Sequence, residues 1–142
     1  MFDTSHLHPM LVHFPIALIA FGFLAELASL IIKKEVCLPK ISFYLLIFGT
    51  LGAILAWSTG TLFTADMSGT AGTVKDTHAL FATITLGLLI IASVLRTIML
   101  LIKTETKKIK WVSFAFYTLA AISVSITGFL GGTLVYNYMM PL

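Results

Sequence analysis

Four histidines are the residues of this chain best placed to do chemistry: His6, His8, His13 and His78. Imidazole is the commonest metal ligand among side chains. Three stand together at the start of one apolar run, and the fourth stands at the head of another. Two imidazoles at matched depth, on two helices of one bundle, can take an iron from opposite sides. That is the arrangement of a bis-histidine b-type haem. His13 and His78 are the expected ligands, each about 6 Å inside its helix at the α-helical rise. His8 lies five positions before His13, about 140° away around an ideal helix. It is therefore an alternative ligand, or a hydrogen-bond partner for a propionate. His6 reads as a polar residue meeting lipid headgroups.

Other residue types extend this reading. Gly49, Gly52 and Gly60 fall in one apolar run, and Gly128, Gly131 and Gly132 in another. Small residues let a flat ligand approach the backbone, and Gly60 is expected beside it. The same glycines also suit close helix packing, since Gly128 and Gly132 have GxxxG spacing. Tyr136 is expected near the propionates. A bare metal site is the alternative: His8, His13 and His78 with Asp66 or Asp76 could hold zinc or copper. Met10, Met67, Met139 and Met140 belong to the same end and suit cuprous copper. No HxxxH motif is present. The hydroxyls of Ser58, Thr59, Thr61, Ser123, Ser125 and Thr127 are expected to bond within the bundle. No hydrolytic or transfer constellation accompanies them, so enzymatic activity is left open, with a redox component as its one form.

Glu26 and Arg96 are charges inside apolar runs, each roughly 26–29 Å from the histidine end. Equal depth predicts an ion pair, although the helical faces conflict. Arg96 is 18 positions past His78 and shares its face, whereas Glu26 is 13 past His13 and about 140° away. The alternative is that Arg96 snorkels to the interface.

The elements that must position these groups are membrane helices. Of 142 residues, 58% are hydrophobic and 11% charged, with mean hydropathy +1.02. Soluble domains carry about 25% charged residues, so this chain has too little polar sequence to cover a globule in water. A span needs about 20 apolar residues. Four fit, at about 9–32, 41–64, 74–102 and 111–136, and they fill a single domain over 1–142. Pro9 suits a first helical turn, and Pro15 predicts a kink. Thr73 and Asp76 have capping-box spacing, which places the third start near Val74. Trp111 and Tyr136 suit the interfaces.

Short connectors make the fold an all-α, up-down-up-down four-helix transmembrane bundle. Lys33, Lys34, Lys40, Arg96, Lys103, Lys107, Lys108 and Lys110 fall on one side, and Lys75 alone on the other. The side with the eight basic residues is therefore expected to be cytoplasmic, with both termini on the outer, periplasmic side. The net charge of +3 reads as topogenic lysines, so the partner is the lipid bilayer and no nucleic acid is expected. The first basic residue is Lys33, so no secretory signal peptide is expected. Cys37 is the only cysteine, which excludes an intramolecular disulfide.

The string His8-Pro9-Met10-Leu11-Val12-His13-Phe14-Pro15-Ile16-Ala17-Leu18 resembles the signature of a bacterial membrane family, domain of unknown function 2231 (DUF2231). Trp57-Ser58-Thr59-Gly60, His78 and Gly131-Gly132-Thr133-Leu134-Val135-Tyr136 agree with it, so the resemblance covers nearly the whole chain. His6 lies outside the pattern. The resemblance implies a multi-pass protein of the bacterial inner membrane. It also implies company with c-type cytochromes and other redox proteins, whereas haem itself is read from the topology. The expected function is a haem b module that transfers electrons at the periplasmic face, with quinol or a c-type cytochrome as partner. The alternatives are a copper- or zinc-binding membrane protein and a cofactor-free structural subunit. The latter would form homo- or hetero-oligomers through the helix-four glycines.

Overall fold

The structure is a computed structural model that describes residues 7–103 and 106–138, with Leu7 described by its backbone alone. His6, Met139 and Met140 lie outside the described residues. Four helices account for the fold: α1 (Leu7–Ile31), α2 (Cys37–Phe63), α3 (Gly69–Leu101) and α4 (Lys107–Tyr136). All four are long and apolar enough to cross a membrane. A helix satisfies its backbone polar groups internally, which a segment in hydrocarbon must do. Large apolar side chains cover the outside, including Phe21, Leu62, Leu101 and Phe129. In lipid such a surface carries no hydrophobic penalty.

The helix starts differ from the sequence expectation for local reasons. α3 begins at Gly69 rather than near Val74, and Gly69 takes φ +63°, a conformation that glycine adopts without strain. Thr73 is thus inside the helix, where its hydroxyl donates to the Gly69 carbonyl at 3.3 Å. The Thr73–Asp76 capping box is not used. α2 begins at Cys37, with Pro39 in its first turn, where a missing N–H leaves no acceptor unpaired. α4 begins at Lys107, so Lys107, Lys108 and Lys110 crowd the positive end of that helix.

α1 packs on α2 and α3 on α4, forming two antiparallel hairpins; α2 against α3 and α1 against α4 close the ring. Ile19, Leu46, Leu89, Ala92, Tyr117, Ala120 and Val124 form the buried centre. Hydroxyl pairs stitch the helices at mid-depth. Thr50 and Ser93 share a hydrogen bond of 2.8 Å across α2 and α3. Thr85 donates to Ser123 at 2.7 Å across α3 and α4.

The two hairpins are copies of one plan. Positions 70 apart in α1 and α3 play matching parts: His8 and His78, Ile19 and Leu89, Glu26 and Arg96. Positions 71 apart do so in α2 and α4: Ser42 and Ser113, Leu46 and Tyr117, Gly60 and Gly131. Ile19, Leu89, Leu46, Tyr117, Ser42 and Ser113 are all essentially without exposure. Pro15 lies against Gly52 in the first hairpin, and Thr85 against Ser123 in the second. These are again equivalent positions.

Candidate functional site

His8 sits in the first turn of α1 and reaches sideways to its hairpin partner. Its Nδ1 lies 2.9 Å from the Ala56 carbonyl oxygen and 3.3 Å from Thr59 Oγ1 on α2. His78 does the same in the second hairpin, with Nδ1 3.0 Å from the Thr127 carbonyl oxygen on α4. A carbonyl can only accept, so each Nδ1 carries the proton. Each neutral ring then presents its lone pair at Nε2, the nitrogen a metal would take. No hydrogen bond within the described residues occupies either Nε2.

Glycine makes both seats. A Cβ on Gly60 would stand 2.8 Å from His8 Cε1, and one on Gly131 would stand 3.2 Å from His78 Cε1. Each glycine lies one turn beyond the carbonyl that holds its histidine. The neighbour of Gly60 in this structure is thus the His8 ring.

The two rings meet across the bundle. Their centroids are 6.2 Å apart and their planes stand at 87°. They share a cavity of about 350 Å³ between the hairpins. Its walls are mostly apolar, including Val12, Ile16, Ala82, Val124 and Gly128. Tyr136 and Lys75 also line it. Tyr136 is largely exposed, and the Lys75 ammonium donates to the Ala65 carbonyl at 2.7 Å and to Asp66 at 3.3 Å.

The structure brings His8, not His13, against His78. His13 also lines the cavity, but its Nδ1 donates to the Pro9 carbonyl of its own helix at 2.9 Å and the residue is exposed. Asp66 is taken by Lys75, Asp76 is exposed, and Met10 faces outward. Among the described residues, no group of three or more His, Cys, Asp or Glu side chains converges.

At the other end of the bundle, Arg96 Nη2 donates to Glu26 Oε1. The Glu26 side chain is buried at 2% exposure, and that of Arg96 is mostly covered at 10%. This pair explains why His8 is the residue that faces inward. His8 and Glu26 are 18 positions apart, as are His78 and Arg96. Eighteen residues make five full turns, so each helix shows its histidine and its charge on one face. That shared spacing was present in the sequence. Depth counted from helix starts does not select His8: with α1 starting at Leu7 and α3 at Gly69, His8 is one residue into its helix and His78 nine, so it is the shared face, not matched depth, that pairs them.

A four-span bundle with a cavity at one end, and one imidazole from each of two repeated hairpins, defines the class. The chain belongs to the DUF2231 family, described as "Predicted membrane protein", whose family model matches residues 4–141. No curated protein and no solved structure matches the chain.

Proposed function

We propose that this protein is a membrane electron-transfer module that holds a haem b between its two hairpins, with His8 and His78 as axial ligands. The observation that carries the reading is the separation and anchoring of those two rings. Two imidazoles bound through Nε2 to one metal, at metal–nitrogen distances of about 2.0–2.1 Å, have centroids roughly 6 Å apart. The rings stand at 6.2 Å. Each Nδ1–H is tied to a backbone carbonyl, the outer-shell contact that fixes tautomer and ring orientation in metal-bound histidines.

Two protein ligands are what a six-coordinate haem iron takes, since the porphyrin supplies four. The apolar walls suit a macrocycle, and Gly132 has nothing within 4 Å of a built Cβ. Tyr136 and Lys75, which line the same cavity, would be available to the propionates. Redox cycling of an iron is the chemistry such a group supplies. The chain's own part is to orient the rings, exclude water and keep the site near one membrane face. The lysine distribution favours an outward orientation of that face, where quinol or a c-type cytochrome would exchange electrons with it.

The test is an absorption spectrum of detergent-purified protein, air-oxidised and then reduced with dithionite, after expression with ample haem. The expected result is a sharp Soret band and a reduced b-type α-band. His8→Ala and His78→Ala should each lose the six-coordinate spectrum, and His13→Ala should keep it. A featureless spectrum from folded protein removes the haem reading. Stoichiometric copper or zinc in that same sample would put a bare metal site in its place.

A further inference from the structure

The two hairpins meet along two seams, α2 with α3 and α4 with α1. Because the hairpins share one plan, the seams can be compared position by position. Trp57 of α2 bridges the first seam, where its indole N–H donates to Thr83 Oγ1 on α3 at 3.0 Å. The offsets of 71 and 70 positions carry Trp57 to Gly128 and Thr83 back to His13. All four residues line the cavity that His8 and His78 share. The second seam therefore has a glycine where the first has an indole, and an imidazole where the first has a hydroxyl.

The missing indole leaves room. A Cβ on Gly128 would meet only Ile16 Cδ1, at 3.6 Å. The hydrogen bond that joins α4 to α1, from Tyr117 to the Ile19 carbonyl at 3.4 Å, lies deeper in the bundle. His13 keeps an acceptor at this place. Its Nδ1–H is given to the Pro9 carbonyl at 2.9 Å, so the ring lone pair is at Nε2. No hydrogen bond among the described residues uses that lone pair. Ionisable residues that line a cavity inside a span mark ligand pathways.

This place faces lipid. His13 lies about 9 Å along α1 from Leu7 and is exposed. Trp57, at the matching place in the first seam, is 38% exposed, so a ring in either seam sits at the bundle surface. The walls are apolar, with Val12 and Ile16 of α1 and Val124 and Val135 of α4. The occupant must therefore be membrane-borne, flat and apolar, and must carry a hydrogen-bond donor. An acyl chain would leave the imidazole lone pair unmet, and water would leave the apolar walls wet.

We propose that the α1–α4 seam binds a membrane hydroquinone. Its ring takes the place that the Trp57 indole fills in the other seam, and one hydroxyl donates to His13 Nε2 as the indole donates to Thr83. The tail leaves between α1 and α4 into the bilayer. Hydroquinone is a class of electron donor that the haem reading calls for, but the site itself does not rest on haem.

The experiment is anaerobic equilibrium binding to the purified full chain under dithionite. The probes are decyl-tailed benzo- and naphthohydroquinone, each beside its dimethyl ether, which keeps ring and tail but has no donor. The absorption spectrum of the same sample reports haem separately, so failure of the haem reading and failure of this one are distinct outcomes. One hydroquinone per chain should bind about tenfold more tightly than its ether, the worth of a hydrogen bond to an acceptor otherwise left unpaired. His13→Phe keeps a flat ring without the acceptor and should bring hydroquinone and ether to equal affinity. Gly128→Trp refills the seam and should abolish binding. If that variant does not fold, the comparison of hydroquinone with ether on the unaltered and His13→Phe proteins still decides. Equal affinity for hydroquinone and ether in the unaltered protein, a preference that survives His13→Phe, or unchanged binding in folded Gly128→Trp would overturn the proposal.

Discussion

Glu26 and Arg96 occupy the same place in two copies of one helical hairpin, and they form an ion pair across the bundle. Because the sites are equivalent, opposite charge rather than position defines the pair. Each helix also carries its histidine five turns away on the same face. The charge pair therefore fixes the rotation of α1 and α3 at one end, and the imidazoles inherit that rotation at the other.

Equivalence makes a charge exchange informative. Glu26→Arg or Arg96→Glu alone puts two like charges in a buried place and should destabilise by at least the ~3–5 kcal/mol of a broken buried pair. The double exchange restores an ion pair between the same two backbone positions. It should recover most of that loss, as read by reversible unfolding in mixed micelles. A double variant as unstable as the sum of the singles would show that the two sites are not interchangeable.

The glycines of α2 and α4 separate into seats and free positions. Gly60→Ala drives a methyl to 2.8 Å from the His8 ring, and Gly131→Ala drives one to 3.2 Å from His78. Overpacking of this kind costs about 1–3 kcal/mol and should displace the ring from its carbonyl. Gly132→Ala meets nothing within 4 Å and should be silent in the thermal stability of the haem-free protein, where all three variants are compared. An equal response at Gly132 and Gly60 would mean that glycine flexibility, not the ring seat, is what matters.

Much of the fold was legible in the sequence, because composition and span length leave few choices in lipid. Four helices, their order and their antiparallel run followed from apolar length and short connectors. Helix starts were less legible. Thr73 and Asp76 have capping spacing, but Gly69 can take a positive φ and starts the helix earlier. Matched depth favours His13 with either start, and only the 18-residue spacing of each histidine to its charge points to His8. The side-chain seats were not legible at all. Gly60 reads as room for a flat ligand until a neighbouring helix brings the His8 ring against it. The hairpin repeat is not legible in residue identity, because few positions keep the same residue. What repeats is burial and role, as in Leu46 with Tyr117 or Pro15 with Thr85.

The hydroxyl pair Thr50–Ser93 joins the two hairpins at mid-depth, where lipid offers no competing hydrogen bond. Such bonds average about 0.6 kcal/mol in membrane proteins, with a maximum near 1.7. Thr50 also donates to its own helix at the Leu46 carbonyl, which leaves it a partner when Ser93 is lost. Ser93→Ala should therefore cost less than Thr50→Val, and a double-mutant cycle should give a coupling under about 1.7 kcal/mol. A larger coupling would mean that the hairpin seam relies on this one contact.

Cys37 is a built-in reporter of orientation. It is the only cysteine of the chain, it is exposed, and it opens α2 close behind Lys33 and Lys34. Eight of the nine basic residues fall at its end of the bundle, and basic residues are retained on the cytoplasmic side. A membrane-impermeant maleimide should therefore leave Cys37 unmodified in intact spheroplasts and modify it in inverted vesicles. Lys75, alone at the histidine end, is too little charge to reverse the bias. The opposite labelling pattern would put His8 and His78 at the cytoplasmic face. Periplasmic cytochromes would then be out of reach of the site, and a cytoplasmic electron donor would have to take their place.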